Sequence, residues 1–143
     1  MIGSSSLPIS GIAAAAKRVD VAAANIVHAR DSGPPASSKV KPVKDPNETE
    51  KQHDPLYRPR DVLQATTADG GTRAYERERT PAEVHEYAPD DPNANEDGVV
   101  ARPNVDIAQE LVDIIVAQRA YEAAIKASQA RDETLGVTID ARS

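Results

Sequence analysis

The sequence of 143 residues contains no cysteine, no phenylalanine and no tryptophan, and only one methionine. Without cysteine, the chain has no disulfide framework, no thiolate metal site and no thiol nucleophile. The four tyrosines are its only aromatic residues, and much of the apolar content is alanine, which buries little area. A single globule of this composition would be marginal. Stability is therefore expected from long helices that pack together, or from assembly with other subunits.

Long apolar runs and a basic surplus are also missing. No run of eighteen apolar residues occurs, so no membrane span is predicted. The start has no basic region ahead of an apolar stretch, so no cleaved signal is expected. The net charge is −6, which argues against a nucleic-acid partner. Residues 1–30 carry three bases against one acid and residues 104–143 carry seven acids against four bases, which favours pairing of the two ends.

The longest helical pattern covers residues 104–135, which contain neither glycine nor proline. Asp106 is predicted to cap this helix, with Gln109 completing a capping box and Val105 just outside; Asn104 is an alternative cap. The helix would extend roughly 45 Å, which is more than one small domain covers, so it is predicted to need a partner. Its seam alternates spacings of three and four through Ile107, Leu111, Ile114, Gln118, Tyr121, Ile125, Ser128, Asp132, Leu135 and Ile139.

The apolar surface of this helix is wider than one seam between residues 111 and 127. A helix that is apolar on more than one face is buried on more than one side, either by other subunits or by an ordinary intramolecular core. Gln118 and Asp132 are predicted to set the register of packing. The residues that widen the surface are Val112, Ile115, Val116, Ala120, Ala123, Ala124 and Ala127.

A second helical pattern runs from Pro8 to about Arg30. Ile12, Val19 and Ile26 recur at intervals of seven, with alanines between them that allow another helix to approach closely. These three residues are predicted to meet the 107–125 face within the same subunit. The glycine and prolines at residues 33–35 end the helix.

The segment between the two helices divides into two parts. Residues 31–56 are rich in proline and charge and are interpreted as an exposed loop. Residues 57–103 are predicted to form a small β-rich insert, with strands at 62–67, 72–79 and 84–87. The predicted fold class is therefore mainly α: two terminal helices, from residues 1–30 and 104–143, packed as an antiparallel hairpin or coiled coil, with a small β-rich and loop insert.

Residues suited to catalysis or metal binding do not form a convincing group. No histidine has a second ligand at metal-binding spacing. An alternating polar run resembles the start of a calcium loop, but no register places both glycine at position 6 and glutamate at position 12. A polar turn is favoured for this run, which contains Asp91, Asn93, Asn95 and Asp97. We predict no catalytic residues, no metal and no cofactor, and that the chain is not an enzyme.

Two stretches of the sequence contain motifs that are informative when taken together. The segment RVDVAAANI at residues 18–26 resembles the N-terminal motif of bacterial flagellar axial proteins. The segments PNVD at 103–106, ELV at 110–112 and RAYEA at 119–123 resemble their C-terminal helix. The resemblance is to the flagellar basal-body rod protein family, and within it to the short proximal rod subunits.

This resemblance implies a structural subunit exported through the flagellar type III apparatus without a cleaved signal peptide. In the periplasm it would assemble into the helical tube of the basal-body rod, which transmits torque. Its implied partners are copies of itself, other rod subunits, and basal-body and export-gate components. The predicted assembly and helix-packing residues are Ile12, Val19, Asn25, Ile26, Asn104, Val105, Asp106, Ile107, Leu111, Ile114, Ile115, Gln118, Tyr121, Ile125 and Leu135.

A different class of function also fits the helical pattern. A soluble helical adaptor, or a flagellar export chaperone, would bind a partner helix in a groove. Such a protein would be a discrete folded oligomer at low concentration, whereas a rod subunit would have frayed ends as an isolated monomer. This difference in solution behaviour discriminates the two hypotheses.

Overall fold

The computed structural model describes residues 6–35, 56–68 and 70–140, without side-chain detail at 6–8 and 135–140. Most of the loop predicted at 31–56 therefore lies outside the described residues. Two terminal helices enclose four strands in the order α1 (Ser6–His28), β1 (Arg60–Thr66), β2 (Thr72–Glu78), β3 (Glu83–Tyr87), β4 (Val99–Pro103) and α2 (Ile107–Asp140).

The predicted mainly α class is wrong. Among the described residues, four of the six elements are strands, and these strands form two antiparallel ribbons, β1–β2 and β3–β4. The prediction assumed that a segment with so few apolar residues folds only weakly. In the structure, the β1–β2 ribbon packs against α1, and hydrogen bonds and ion pairs add the contacts that apolar side chains do not supply. The class is mixed α and β.

Most individual elements match their predicted positions. The strands predicted at 62–67, 72–79 and 84–87 are confirmed as β1, β2 and β3. The sequence does not predict β4, because its Arg102-Pro103 end suggests only a lead into the long helix. Asp106 is confirmed as the cap of α2, since its Oδ1 accepts hydrogen bonds from the backbone N–H groups of Ala108 at 2.9 Å and Gln109 at 3.2 Å. The helix then continues through Gly136.

The two helices pack antiparallel at close range. At one end, the Asn25 amide meets the Glu110 carboxylate at 3.1 Å. At the other, a Cβ built on Gly11 lies 3.6 Å from the Cβ of Ala124. This alignment places Ser6 of α1 opposite residue 129, so the last eleven or so residues of α2 extend roughly 16 Å past it, at 1.5 Å per residue. Small buried residues lie at the centre of the packing: Ala15, Ala22 and Ala117.

The opposite side of α1 carries the β1–β2 ribbon. Near the start of the helix, the hydroxyl of Ser10 accepts a hydrogen bond from the backbone N–H of Thr72 at 3.0 Å. About two turns further on, Lys17 and the ribbon residue Arg60 both pair with Glu76. Helix α1 therefore lies between the ribbon and α2, and joins them.

The side chain of Asn25 is fully buried where α1, β1 and α2 meet. Its Oδ1 accepts hydrogen bonds from the Tyr57 hydroxyl at 2.9 Å and the Arg60 backbone N–H at 3.1 Å. Its Nδ2 donates to the Arg60 carbonyl at 2.9 Å and to Glu110 at 3.1 Å. Two acceptor positions and two donors are the full capacity of an amide side chain, so Asn25 is completely satisfied. The Asn25 amide bonds to both the N–H and the carbonyl of Arg60, as the backbone of a neighbouring β-strand would.

Glu110 extends this polar network to the end of β2. It is 3% exposed and also accepts a hydrogen bond from Arg79 at 2.8 Å. Arg79 donates further to Asp61 at 2.8 and 2.9 Å and to the carbonyl of Asn104 at 3.0 Å. Burial lowers the pKa of Arg79, but the hydrogen bonds that it donates to the carboxylates of Asp61 and Glu110 outweigh burial and raise the pKa overall. The guanidinium therefore stays charged and compensates the buried carboxylate.

Removal of the Asn25 amide should destabilise the fold. In Asn25→Ala, the backbone groups of Arg60 and one hydrogen-bonding position of Glu110 lose their buried partner. We expect the free energy of unfolding to fall by roughly 2–4 kcal/mol, because each orphaned buried polar group costs about 1–3 kcal/mol. Urea denaturation followed by circular dichroism measures the change, with the exposed Asp20→Ala on the same helix as control. A loss below about 0.5 kcal/mol, the usual surface effect, would contradict the role of Asn25.

The ion pairs of Glu76 should make stability depend on acid pH. The pKa of Glu76 is lowered from its ordinary value of 4.5, because Lys17 donates a hydrogen bond to it and Arg60 adds positive charge. A carboxylate with a lowered folded-state pKa contributes stability above its unfolded-state pKa, and this is lost as the pH falls through the folded-state value. Wild type should therefore lose stability below pH 4.5, and Glu76→Gln should lose less. Urea denaturation midpoints measured above and below pH 4.5 test this difference. The control is Glu78→Gln, which changes an exposed ion pair with Arg58 and should show the same pH dependence as wild type.

Candidate functional site: the outer face of the long helix

The N-terminal half of α2 carries large apolar side chains on the side that faces away from α1. Each of these residues is between 38% and 52% exposed. They form two rows with a spacing of four residues, which lie side by side on a helix. We call this surface the outer apolar face; it consists of Ile107, Leu111, Val112, Ile115 and Val116.

The orientation of α2 produces this exposure. The side that faces α1 carries Glu110 and Ala117, which are 3% and 0% exposed. A small residue at this contact lets the helices approach, and Glu110 reaches Asn25. The large side chains must then point elsewhere. Contiguous exposed apolar surface of this kind marks an interaction site in soluble proteins.

Helix α1 adds exposed apolar residues near its two ends. Ile9 is 63% exposed and Val27 is 72% exposed. Between them, the exposed side of the helix carries mainly small residues: Ala13, Ala16, Asp20 and Ala23. Both helices thus present apolar surface to the outside while they also pack against each other.

The predicted assembly residues fall into three groups, and their role in assembly remains a prediction. Asn25 is buried, and the side chain of Leu135 lies outside the described residues. Half-buried residues flank the helix packing or precede α2: Ile12, Val19, Ile26, Asn104, Val105, Ile114 and Ile125. The exposed members are Asp106, Ile107, Leu111, Ile115, Gln118 and Tyr121.

Sequence reasoning did not identify the polar network as a structural unit. The sequence patterns place Glu110 in the ELV motif of the long helix and give no reason to pair it with Asn25 or Arg79. The usable signal was an asparagine within an alanine-rich helix, because a buried amide requires partners from elsewhere in the chain. The identity of those partners has no local sequence signature.

A polar cavity of about 160 Å³ lies between α1, β1 and α2. Its charged lining is largely paired internally: Arg18 bonds Asp113 at 3.2 Å, and Arg79 bonds Asp61 and Glu110. The side chains that line the cavity therefore already neutralise one another, and the cavity offers no surplus of charge of either sign to a ligand.

In the run that resembles a calcium loop, side-chain oxygens accept hydrogen bonds from other groups of the protein. Asp91 Oδ1 accepts hydrogen bonds from the Ser32 hydroxyl at 3.1 Å and the Asn93 N–H at 2.9 Å. Asn95 Oδ1 accepts from the N–H groups of Asp97 and Val99. Within the described ranges, no group of three or more potential ligands is arranged to hold a metal ion. In the same part of the chain, no helix has the length and hydrophobicity needed to cross a membrane.

Comparisons with known proteins find similarity to flagellar rod proteins. The family described as "Flagellar basal body rod FlgEFG protein C-terminal" matches residues 96–141. A flagellar basal-body rod protein FlgC from Aquifex aeolicus is 44% identical over 55 residues, which cover 38% of this chain and 41% of the relative. The FlgC of Bacillus subtilis is 48% identical over 44 residues, covering 31% and 29%. That of Agrobacterium fabrum is 37% identical over 57 residues, covering 40% and 41%.

The chain thus spans at most about two fifths of the length of these relatives. The C-terminal family match contains β4, the Asp106 cap and the whole outer apolar face. These matches confirm the resemblance seen in the sequence motifs. The chain is therefore similar to flagellar basal-body rod proteins, including those named FlgC.

Proposed function

We propose that this chain is a structural subunit of the proximal rod of the bacterial flagellar basal body. It polymerises through its terminal helices into the helical tube that transmits torque. Residues 1–30 and 104–143 form the assembly domain, and residues 57–103 form the insert. Its partners are copies of itself, other rod subunits, and basal-body and export-gate components. It reaches the periplasm through the type III apparatus without a cleaved signal peptide.

One observation carries this proposal beyond the similarity to rod proteins: the outer apolar face of α2. Burial of the exposed half of a large apolar side chain contributes about 1 kcal/mol, so five such residues contribute about 5 kcal/mol in total. Association costs about 4–15 kcal/mol. A single pairwise contact is therefore marginal, and several simultaneous neighbours are needed for a stable complex. A subunit within the wall of a tube has several neighbours.

The role is structural and not enzymatic. Glu110, the most buried charged residue among those described, bonds to Asn25 and Arg79, and Arg79 bonds further to Asp61 and to the carbonyl of Asn104. They hold three elements together at the base of α2. This arrangement supports a rigid connection between the insert and the helical assembly domain.

A charge on the outer apolar face should abolish assembly without unfolding the subunit. Leu111 is 50% exposed, so Leu111→Asp should change the free energy of unfolding by less than about 1 kcal/mol. Buried between subunits, the same carboxylate would be desolvated and unpaired, which costs several kcal/mol. We expect export into the periplasm to continue but rods to be absent, with loss of motility in soft agar.

Two variants separate assembly from folding in this experiment. Gln129→Asp places the same residue at an exposed position of the same helix, outside the outer apolar face, and should retain motility. Ile114→Asp changes a half-buried residue and should lower the free energy of unfolding by roughly 2–4 kcal/mol. Normal motility of Leu111→Asp at normal subunit abundance would refute the assembly role of this face.

Dilute purified protein should distinguish a rod subunit from an adaptor or export chaperone. We expect sedimentation to show a monomer at low micromolar concentration, because one pairwise contact is marginal, and larger assemblies only above a threshold concentration. Hydrogen exchange should be fast in the part of α2 that extends beyond α1 and slow near Glu110. A discrete dimer at all concentrations, with both helices protected throughout, would favour the adaptor.

A further inference from the structure

The outer surface of the β1–β2 ribbon carries an exposed tyrosine between two arginines. Arg73, Tyr75 and Arg77 alternate along β2 and therefore share one face. Leu63 lies directly opposite Tyr75 on β1. Tyr75 is 43% exposed and Leu63 is 37% exposed. We call these four residues the basic patch.

The two arginines of the basic patch differ from the others of the insert in having no carboxylate partner among the described residues. Six arginines lie between residues 57 and 103. The other four pair with carboxylates: Arg58, Arg60, Arg79 and Arg102. Arginine and tyrosine are enriched at protein interfaces, so an exposed tyrosine flanked by two available guanidinium groups has the composition of a binding surface.

A second exposed tyrosine lies at the tip of the β3–β4 ribbon, beside acidic residues. Tyr87 is 72% exposed. A Cβ built on Gly98 would approach its ring to 2.9 Å, so only glycine leaves room for the ring in this position. The pairing of Ala88 N–H with the Gly98 carbonyl at 2.9 Å brings Asp97 and Asp90 to the same tip. Both acids are exposed and have no basic partner among the described residues; with Tyr87 they form the acidic patch.

We propose that the basic patch of one copy of this chain binds the acidic patch of a second copy. Each patch combines an exposed tyrosine with two like charges, and the charges of the two patches are opposite. Because two different surfaces of the same chain meet, the contact is heterologous, and such contacts generate rings or open helical arrays. The proposal rests on the proposed function, since it concerns neighbouring subunits in the rod.

The charge of the whole chain explains why a local attraction is needed. Each copy carries a net charge of −6, so close packing of copies is opposed by mutual repulsion. Opposite charges at a defined contact steer association and fix orientation more than they add affinity. The patches therefore select the relative orientation of neighbouring copies, while the terminal helices contribute most of the buried apolar area.

Charge reversal tests the contact in the full-length protein. Arg73→Glu/Arg77→Glu and Asp90→Arg/Asp97→Arg should each slow self-association at low salt by about tenfold, as expected for loss of steering. The variant with all four changes should recover to within about threefold of wild type, because the charges again match. Arg30→Glu/Arg58→Glu has the same net charge as the first variant but changes exposed residues outside both patches, and should have a smaller effect. Failure of the fourfold variant to recover would overturn the proposal.

Disulfide trapping separates this contact from the proposed function. The chain has no cysteine, so a mixture of Arg73→Cys and Asp90→Cys proteins can cross-link only at the introduced positions. We expect this mixture to form disulfide-linked heterodimers, and a mixture of Arg58→Cys with Asp90→Cys to form few. Cross-linking without any polymer would support the contact and count against the rod function. Polymer that neither cross-links nor responds to charge reversal would refute the contact and leave the rod function intact.

Discussion

The fold depends on one buried amide. Asn25 forms four hydrogen bonds, to Tyr57, to both backbone groups of Arg60 and to Glu110. A buried polar group left without partners costs more than its hydrogen bond contributes, so α1, β1 and α2 are stable only in their joint arrangement. Arg79 extends the same constraint to the end of β2 and to the loop before α2. Hydrogen bonds and ion pairs, and not a large apolar core, therefore connect the N-terminal end of α2 to the insert.

The amide also determines which side chains the helices bury against each other. For Asn25 to reach Glu110, the two helix axes must approach closely, and the residues at the centre of the contact are alanines: Ala15, Ala22 and Ala117. Large apolar side chains do not fit in so narrow a space, and α2 presents them on its opposite face. The exposed outer apolar face is therefore a consequence of the internal packing. The subunit buries little apolar surface within itself because its largest apolar residues face outward.

Local patterns predicted the elements well and the connections between them poorly. Helical periodicity, the Asp106 cap and the alternation in β1 to β3 are properties of neighbouring residues, and the structure confirms them. Strand β4 was not predicted, because its extended conformation depends on pairing with β3 and with Gly33 and not on a pattern of neighbouring residues. The network around Asn25 joins residues up to 85 positions apart, and no local spacing encodes such pairs. The seam predicted for α2 was defined by its large apolar side chains. The observed contact with α1 is instead made by small residues such as Ala117, so seam residues such as Leu111 lie beside that contact and are exposed.

In the proposed rod, this separation of surfaces allows a subunit to fold before it assembles. The contacts between α1 and α2 are made by alanines and by polar side chains. They do not involve the outer apolar face, so they can form in an isolated chain. That face contributes about 5 kcal/mol against one neighbour, close to the lower limit of the cost of association. In the proposed rod, a subunit that joins an existing end meets more than one neighbour and loses translational freedom only once. Addition to an end is then favoured over the pairing of two free subunits, so polymer grows at the rod and not in solution.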